Sequence, residues 1–164
     1  MAKMAITGLE DFSSLLQSLG TMATPIAKMA MYDGAAILIE YLKQEIRAIP
    51  EEEGYMLPGR KRQIVTARDK EALLTHVGIA RMREQGGKVR VTIGFDGYTE
   101  YTTKQYPQGV PVSLLARSIV KGTSVRGKDD FVRRAVQKAQ TAVQQAMILD
   151  VQNFIADFTS KGGA

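Results

Sequence analysis

Cysteine is absent from the 164 residues, and histidine occurs once, at His76. Disulfides and thiolate metal sites are thereby excluded, as is a cluster of histidine ligands. Long apolar runs are missing too. None approaches the ~18 to 20 residues that span a bilayer, and the N-terminus carries no signal-peptide pattern. The expectation is a protein made in a cytoplasm, with no membrane partner. Groupings that do chemistry are equally scarce. His76 lies among apolar, strand-forming residues with no Ser or carboxylate at a catalytic spacing, which reads as a structural histidine. Asp129-Asp130 read as the acids of a helix start, where the helix dipole favours them, and Glu51-Glu52-Glu53 as a solvated loop. Gly86, Gly87, Gly94 and Gly97 form neither of the phosphate-binding glycine patterns. With no nucleophile, tuned acid–base pair or metal set, the expectation is a protein that is not an enzyme and uses no cofactor.

What the chain does have is an ordinary globular composition, 45% hydrophobic and 24% charged, at a length suited to one domain with a real core. Its net charge of +5 is concentrated. From Arg60 to Arg90 there are nine Lys/Arg against three acids, a local +6, so the remainder of the chain sums to −1. Such a patch suits nucleic acid or an acidic protein partner, and it also suits a plain solvated face.

The middle of that segment reads as a β-hairpin. Two strand-favouring runs flank Gly86-Gly87, a pair suited to the positive φ angles of a tight turn. Folding about the glycines sets Met82 opposite Val91, Ala80 opposite Ile93 and Gly78 opposite Phe95 on an apolar face. The other face carries Arg81, Arg83, Lys88, Arg90 and Thr92, with Val77 and Ile79 at its far end. Arg81, Arg83, Lys88 and Arg90 are therefore the candidate DNA- or partner-facing residues.

Before the hairpin, Thr7 and Glu10 form a capping box for a helix carrying Leu9, Phe12, Leu15, Leu16 and Leu19 to Gly20. Thr24 and Pro25 open a second, long helix that Pro50 stops. Its apolar residues cover more than one stripe, and Gly34, Ala35 and Ala36 are small enough for another backbone to come close. An intramolecular core is the default partner, and a neighbouring subunit is the alternative, which makes these three residues candidates for subunit packing. An extended loop at 50–68 follows, with an acidic run and then Arg60-Lys61-Arg62, a candidate partner loop. Asp69 to Leu74 reads as a short helical turn. Beyond the hairpin come an extended segment with Tyr98, Tyr101 and Tyr106, and a short helix from a Ser113 cap to Gly122. The last helix starts near Gly127-Lys128-Asp129 and runs to about Phe158, with Val132, Val136, Ala139, Val143 and Ala146 as its seam and a drift to Met147, Val151, Phe154 and Phe158. The whole is an α+β domain over 1–158: two N-terminal helices, a small antiparallel sheet built on the hairpin, a short helix and a long C-terminal helix. Residues 159–164 read as a flexible tail.

Several of these segments, in this order, carry a resemblance. They are the GLEDFSSLLQSLG-type helix and the long Ala/Ile-rich helix after it, EALLTHVGIA leading into the hairpin, the Gly87–Gly94 strand GKVRVTIG, YTTKQYPQGVPVSLLARSIVKGTS from Tyr101 to Ser124, and DDFVRRAVQKAQ. With them the chain resembles the tail-completion, or head–tail joining, family of neck proteins of long-tailed bacteriophages. In that family the last helix opens on a proline-phenylalanine-leucine/valine-arginine-proline-alanine signature. Here Asp130, Phe131, Val132, Arg133, Arg134 and Ala135 stand in its place, without either proline. The Glu51–Thr66 loop is also longer than the family's. The resemblance implies a structural virion protein that forms a homo-oligomeric ring, of six copies or else twelve. That ring would join the head connector or adaptor to the tail terminator or tail tube, around the DNA path and in non-specific contact with the genome. Localisation would be the virion neck, and the host cytoplasm during assembly. The alternative from the residues alone is a small basic nucleic-acid-binding protein, although no aromatic stacking platform interleaves with the hairpin cations.

Overall fold

A computed structural model describes residues 23–51, 65–123 and 126–160. The capping-box helix expected at Thr7–Gly20 and the Arg60-Lys61-Arg62 loop lie outside these residues. Within them the architecture is α+β. Helix α1 (Ala23–Ala48) leads to α2 (Ala67–His76), which runs directly into strand β1 (Val77–Ile79). Strands β2 (Arg83–Gln85), β3 (Lys88–Arg90) and β4 (Ile93–Phe95) follow, then α3 (Val112–Lys121) and α4 (Phe131–Ser160).

Helices α1 and α4 form an antiparallel pair along their length. Each presents a buried row that advances by four residues: Ile26, Ala30, Gly34, Leu38, Leu42 and Ile46 on α1, and Phe131, Ala135, Ala139, Val143, Met147 and Val151 on α4. Rows at this spacing are the i, i+4 ridges that seat in a neighbour's grooves. The expected seam is corrected here. Val132, Val136 and Ala146 flank the contact half-buried, and Phe131 and Ala135 occupy its centre, in line with Met147 and Val151 of the expected drift. The row of fours passes through Ala139 and Val143, which both readings share, and diverges from a 4-3-4-3 pattern on either side. At Gly34 the helices come so close that a Cβ would sit 3.1 Å from Val143 Cγ1 and from Met147 Cγ and Sδ.

The α1–α4 pair carries one apolar cluster at its open end and joins a second at the other end. The second gathers Ile46, Ile49, Val65, Leu73, Val112, Leu115, Ile119, Phe131 and Ala135, with Val77, Ile93 and Phe95 packed against it. Tyr41 and Ile93 touch both clusters. Phe131 is completely buried and meets Phe95 edge-on, with ring centroids 6.3 Å apart and planes at 68°.

Other boundaries shift modestly. The expected turn at Asp69 is a ten-residue helix, because Thr66 and Asp69 make the reciprocal capping box. The loop expected to run to residue 68 therefore ends at Thr66. Helix α3 starts at Val112, after Pro111, rather than on a Ser113 cap, and Gly122 ends it at φ +72°. Helix α4 begins at Phe131, not at Gly127, and continues to Ser160, two residues into the expected tail. Asp129, expected among the capping and first-turn acids, precedes the helix, and its backbone N–H donates to the Ile119 carbonyl at 3.0 Å, which ties the segment before α4 to the end of α3.

Candidate functional site: the basic hairpin arm

The hairpin is two short ladders with a fault between them. Around the Gly86-Gly87 turn, whose φ angles are +59° and +72°, β2 and β3 pair Arg83 with Arg90, Glu84 with Val89 and Gln85 with Lys88. At the base, β1 and β4 pair Val77 with Phe95, Gly78 with Gly94 and Ile79 with Ile93. Between the ladders three residues (Ala80, Arg81, Met82) stand against two (Val91, Thr92). That count is a β-bulge, held by the Ala80 N–H donating to the Thr92 carbonyl at 2.7 Å.

The bulge corrects the expected register at the base. Ala80 does not face Ile93, nor Gly78 Phe95. Val77 and Ile79 take those partners and turn inward, off the basic face where a uniform ladder would put them. The physical reason is that the odd-numbered row of the first strand is chemically split: Val77 and Ile79 are apolar, Arg81 and Arg83 are cationic. One extra residue lets the first pair face the core and the second pair face solvent. The tip keeps the expected register, including Arg83 opposite Arg90.

On the tip, Arg83, Gln85, Lys88 and Arg90 share one face, all exposed. Arg81 is exposed at the bulge. The opposite face lies on α1, where Glu84 pairs with Lys28 at 3.0 Å and Val89 is half-buried. Among the described residues the side chains of Arg81, Arg83, Lys88 and Arg90 have no ion-pair or hydrogen-bond partner; only backbone is engaged, that of Arg83, Lys88 and Arg90 in the ladder. The four candidates are thus brought together. The three small residues of α1 are not presented together: Gly34 and Ala35 are buried in the chain's own core, Gly34 directly against α4, and only Ala36 is exposed. Intramolecular packing takes up the close approach that Gly34 permits. His76 ends α2 with its ring against Gly97, where a Cβ would fall 2.5 Å from Nδ1, a packing role. Among the described residues no group of three His, Asp or Glu converges as a metal site, and no helix is long and apolar enough to cross a membrane.

Two buried polar networks had no signal in local spacing. Asp69, 3% exposed, accepts from the Thr66 backbone N–H at 3.1 Å, the Tyr101 hydroxyl at 2.5 Å and Arg126 Nη2 at 3.3 Å. Arg126 also donates to Ser118 Oγ at 2.8 Å. Burial, then the hydrogen bond to Asp69, pushes the Tyr101 hydroxyl well above its ordinary pKa. In the second network Glu45 on α1 accepts from Lys138 and from Arg134 Nε on α4, the latter at 2.8 Å. Arg134 also reaches Asp129 at 2.8 Å. The hydrogen bonds from Lys138 and Arg134 hold the Glu45 carboxyl below its ordinary value.

A third carboxylate behaves oppositely. Asp150 on α4 has a buried Oδ2 without a hydrogen-bond partner among the described residues, and Asp33 on α1 faces it. Burial first, then Asp33, raises its pKa above 3.8. A raised folded value means that the native state holds the proton more tightly than the unfolded chain. Stability therefore falls as pH rises from about 3.8 through the folded value, and the penalty is complete above it. Asp150→Asn keeps a donor towards Asp33 and removes the charge. It is expected to raise stability at pH 7 by up to about 1 kcal/mol, since solvent beside exposed Asp33 screens the repulsion. Below pH 3.8 the gain should vanish. Urea melts at pH 3.5 and pH 7 check this, and equal effects at both would sink it.

No protein-family model, curated protein or solved structure matches this chain.

Proposed function

We propose that this chain is a structural subunit of a bacteriophage neck, acting by assembly into a ring that joins the head connector to the tail tube. The observation that carries the reading is where the resembling segments lie. Leu73 and Val77 of EALLTHVGIA, Ile93 of the KVRVTIG strand, Leu115 and Ile119 of the Tyr101–Ser124 stretch, and Phe131 and Ala135 of DDFVRRAVQKAQ belong to one core. Segments scattered along the chain thus act as one folded unit, which is what a shared fold requires. Arg134, at a position where the family has proline, is used to tie α1, α4 and the segment before α4 together. Outside the core, Met29 and Tyr32 on α1 and Ile148 and Leu149 on α4 are about half exposed, apolar surface suited to neighbouring copies.

Light scattering of the purified protein, alone and mixed with tailless heads and headless tails, tests the proposal. A ring of six has a mass of roughly 108 kDa against 18.0 kDa for one chain. The expected result is a ring, formed alone or on the particle, together with restored joining. A chain that stays at the mass of one copy and joins nothing overturns the neck reading. The uncompensated cations of the arm favour one second reading, a small nucleic-acid-binding protein, which would bind as a single copy and never assemble.

A further inference from the structure

From the arm itself we infer that the β2–β3 tip is a contact for the phosphate backbone of a nucleic-acid duplex, read by charge and not by sequence. The inference stands on the arm and does not depend on ring formation.

Charge complementarity is the first ground. Arg83, Lys88 and Arg90 occupy one ladder face, Arg81 adjoins it, and that face carries no carboxylate. The acid of the tip, Glu84, points the other way and is engaged by Lys28. Directly opposed like charges on a strand pair are mildly destabilising, so Arg83 and Arg90 cost the free hairpin a little that a polyanion would return.

Shape is the second ground. The backbone positions that carry the cations are about 5 Å apart across the ribbon and about 7 Å apart along β3, so the long side chains can reach successive backbone phosphates. The turn is Gly86-Gly87, so no side chain at the tip holds a phosphate strand away. Gln85, on the same face, adds a neutral donor. A two-stranded ribbon is also narrow enough to enter a major groove.

The third ground separates nucleic acid from an acidic protein. Protein interfaces place apolar or aromatic anchors at their centre and deplete charge there. This face has no apolar side chain at all: Val89, the only one on the tip, lies on the opposite side. It equally lacks the aromatic residues that stack unpaired bases, which favours a duplex over a single strand.

The test is binding of the full chain to a 30-base-pair DNA duplex of random sequence and to an RNA duplex of the same length. Fluorescence anisotropy at 50 and 200 mM salt reads the affinity, and light scattering on the same samples reads the assembly state. Four phosphate contacts give a logarithmic salt slope of about −3.6, so wild-type affinity should fall about 150-fold over this range and be insensitive to sequence. Arg83→Gln with Arg90→Gln leaves about two contacts and should reduce the change to about 12-fold. Replacing all four cations with glutamine should abolish measurable binding while the thermal melt is unchanged, since these side chains bond to nothing among the described residues. Relative affinity for the two duplexes tells DNA from RNA as the source of the phosphates. Three results each overturn the inference: no binding at 50 mM salt, wild-type affinity in the fourfold variant, or tighter binding to polyglutamate than to either duplex. Binding by single copies that never assemble would leave it standing while the neck reading fails.

Discussion

Phe131→Ala is expected to cost about 3 to 5 kcal/mol, a large share of the total stability of a domain this size. Phe131 is fully buried where α4 begins, edge-on against Phe95 of β4 and inside the cluster formed with α1, α2 and α3. Truncation removes apolar contact on every side, and the site has little freedom to collapse. Long helices surround it, and their spacing is fixed elsewhere by the tight Gly34 crossing. Thermal unfolding followed by circular dichroism should show a midpoint lowered by roughly 10 °C or more. Phe131→Leu, which refills most of the volume, should recover much of the loss. A midpoint within a degree or two of wild type for the alanine variant would mean that this cluster is not the centre of stability.

Asp69→Ala should be the next most damaging change, at about 2 to 4 kcal/mol. One carboxylate completes the capping box of α2, accepts the Tyr101 hydroxyl and pairs with Arg126. Alanine leaves the partly buried hydroxyl and guanidinium without their acceptor, and the cost of stranding them exceeds the worth of the bonds themselves. Loss of the box adds about 1 kcal/mol within that range. A double-mutant cycle with Tyr101→Phe separates the contributions: the pair should couple by at least about 0.5 kcal/mol. Additive losses would show that the cap, and not the Tyr101 contact, carries the effect.

These two residues mark what could and could not be read along the chain. Helix ends were legible where backbone chemistry is local: Pro50 follows the end of α1, Gly122 closes α3, and Gly86-Gly87 turns the hairpin, whereas Pro25 and the Thr24 expected as a cap both lie inside α1. The basic face of the tip was legible for the same reason, because alternation along β3 is uninterrupted. The base of the hairpin was misread because its apolar residues change phase, from Val77 and Ile79 to Met82. That skip was itself visible as two apolar phases in one strand and is the signature of a bulge. The α4 seam was misplaced because a row of fours and a 4-3 alternation share residues over any short window. The contacts that join Asp69 to Tyr101 and Arg126 left no local trace. Arg126 lies 57 residues from Asp69, and nothing in either neighbourhood names the other as its partner.

The extra residue in the hairpin separates where the arm points from what it carries. Strand β3 and its continuation into β4 alternate without a break, so the outward positions of Lys88 and Arg90 do not depend on the fault opposite them. Removing Ala80 would leave a regular ladder with Val77, Ile79 and Met82 still inward and every arginine still outward. What would change is the local bend and twist that a bulge imposes, and with it the direction in which the tip projects from α1. Aim and cargo are thus set by different residues of the same strand, and the length of this hairpin can be altered by one residue without reversing its charge.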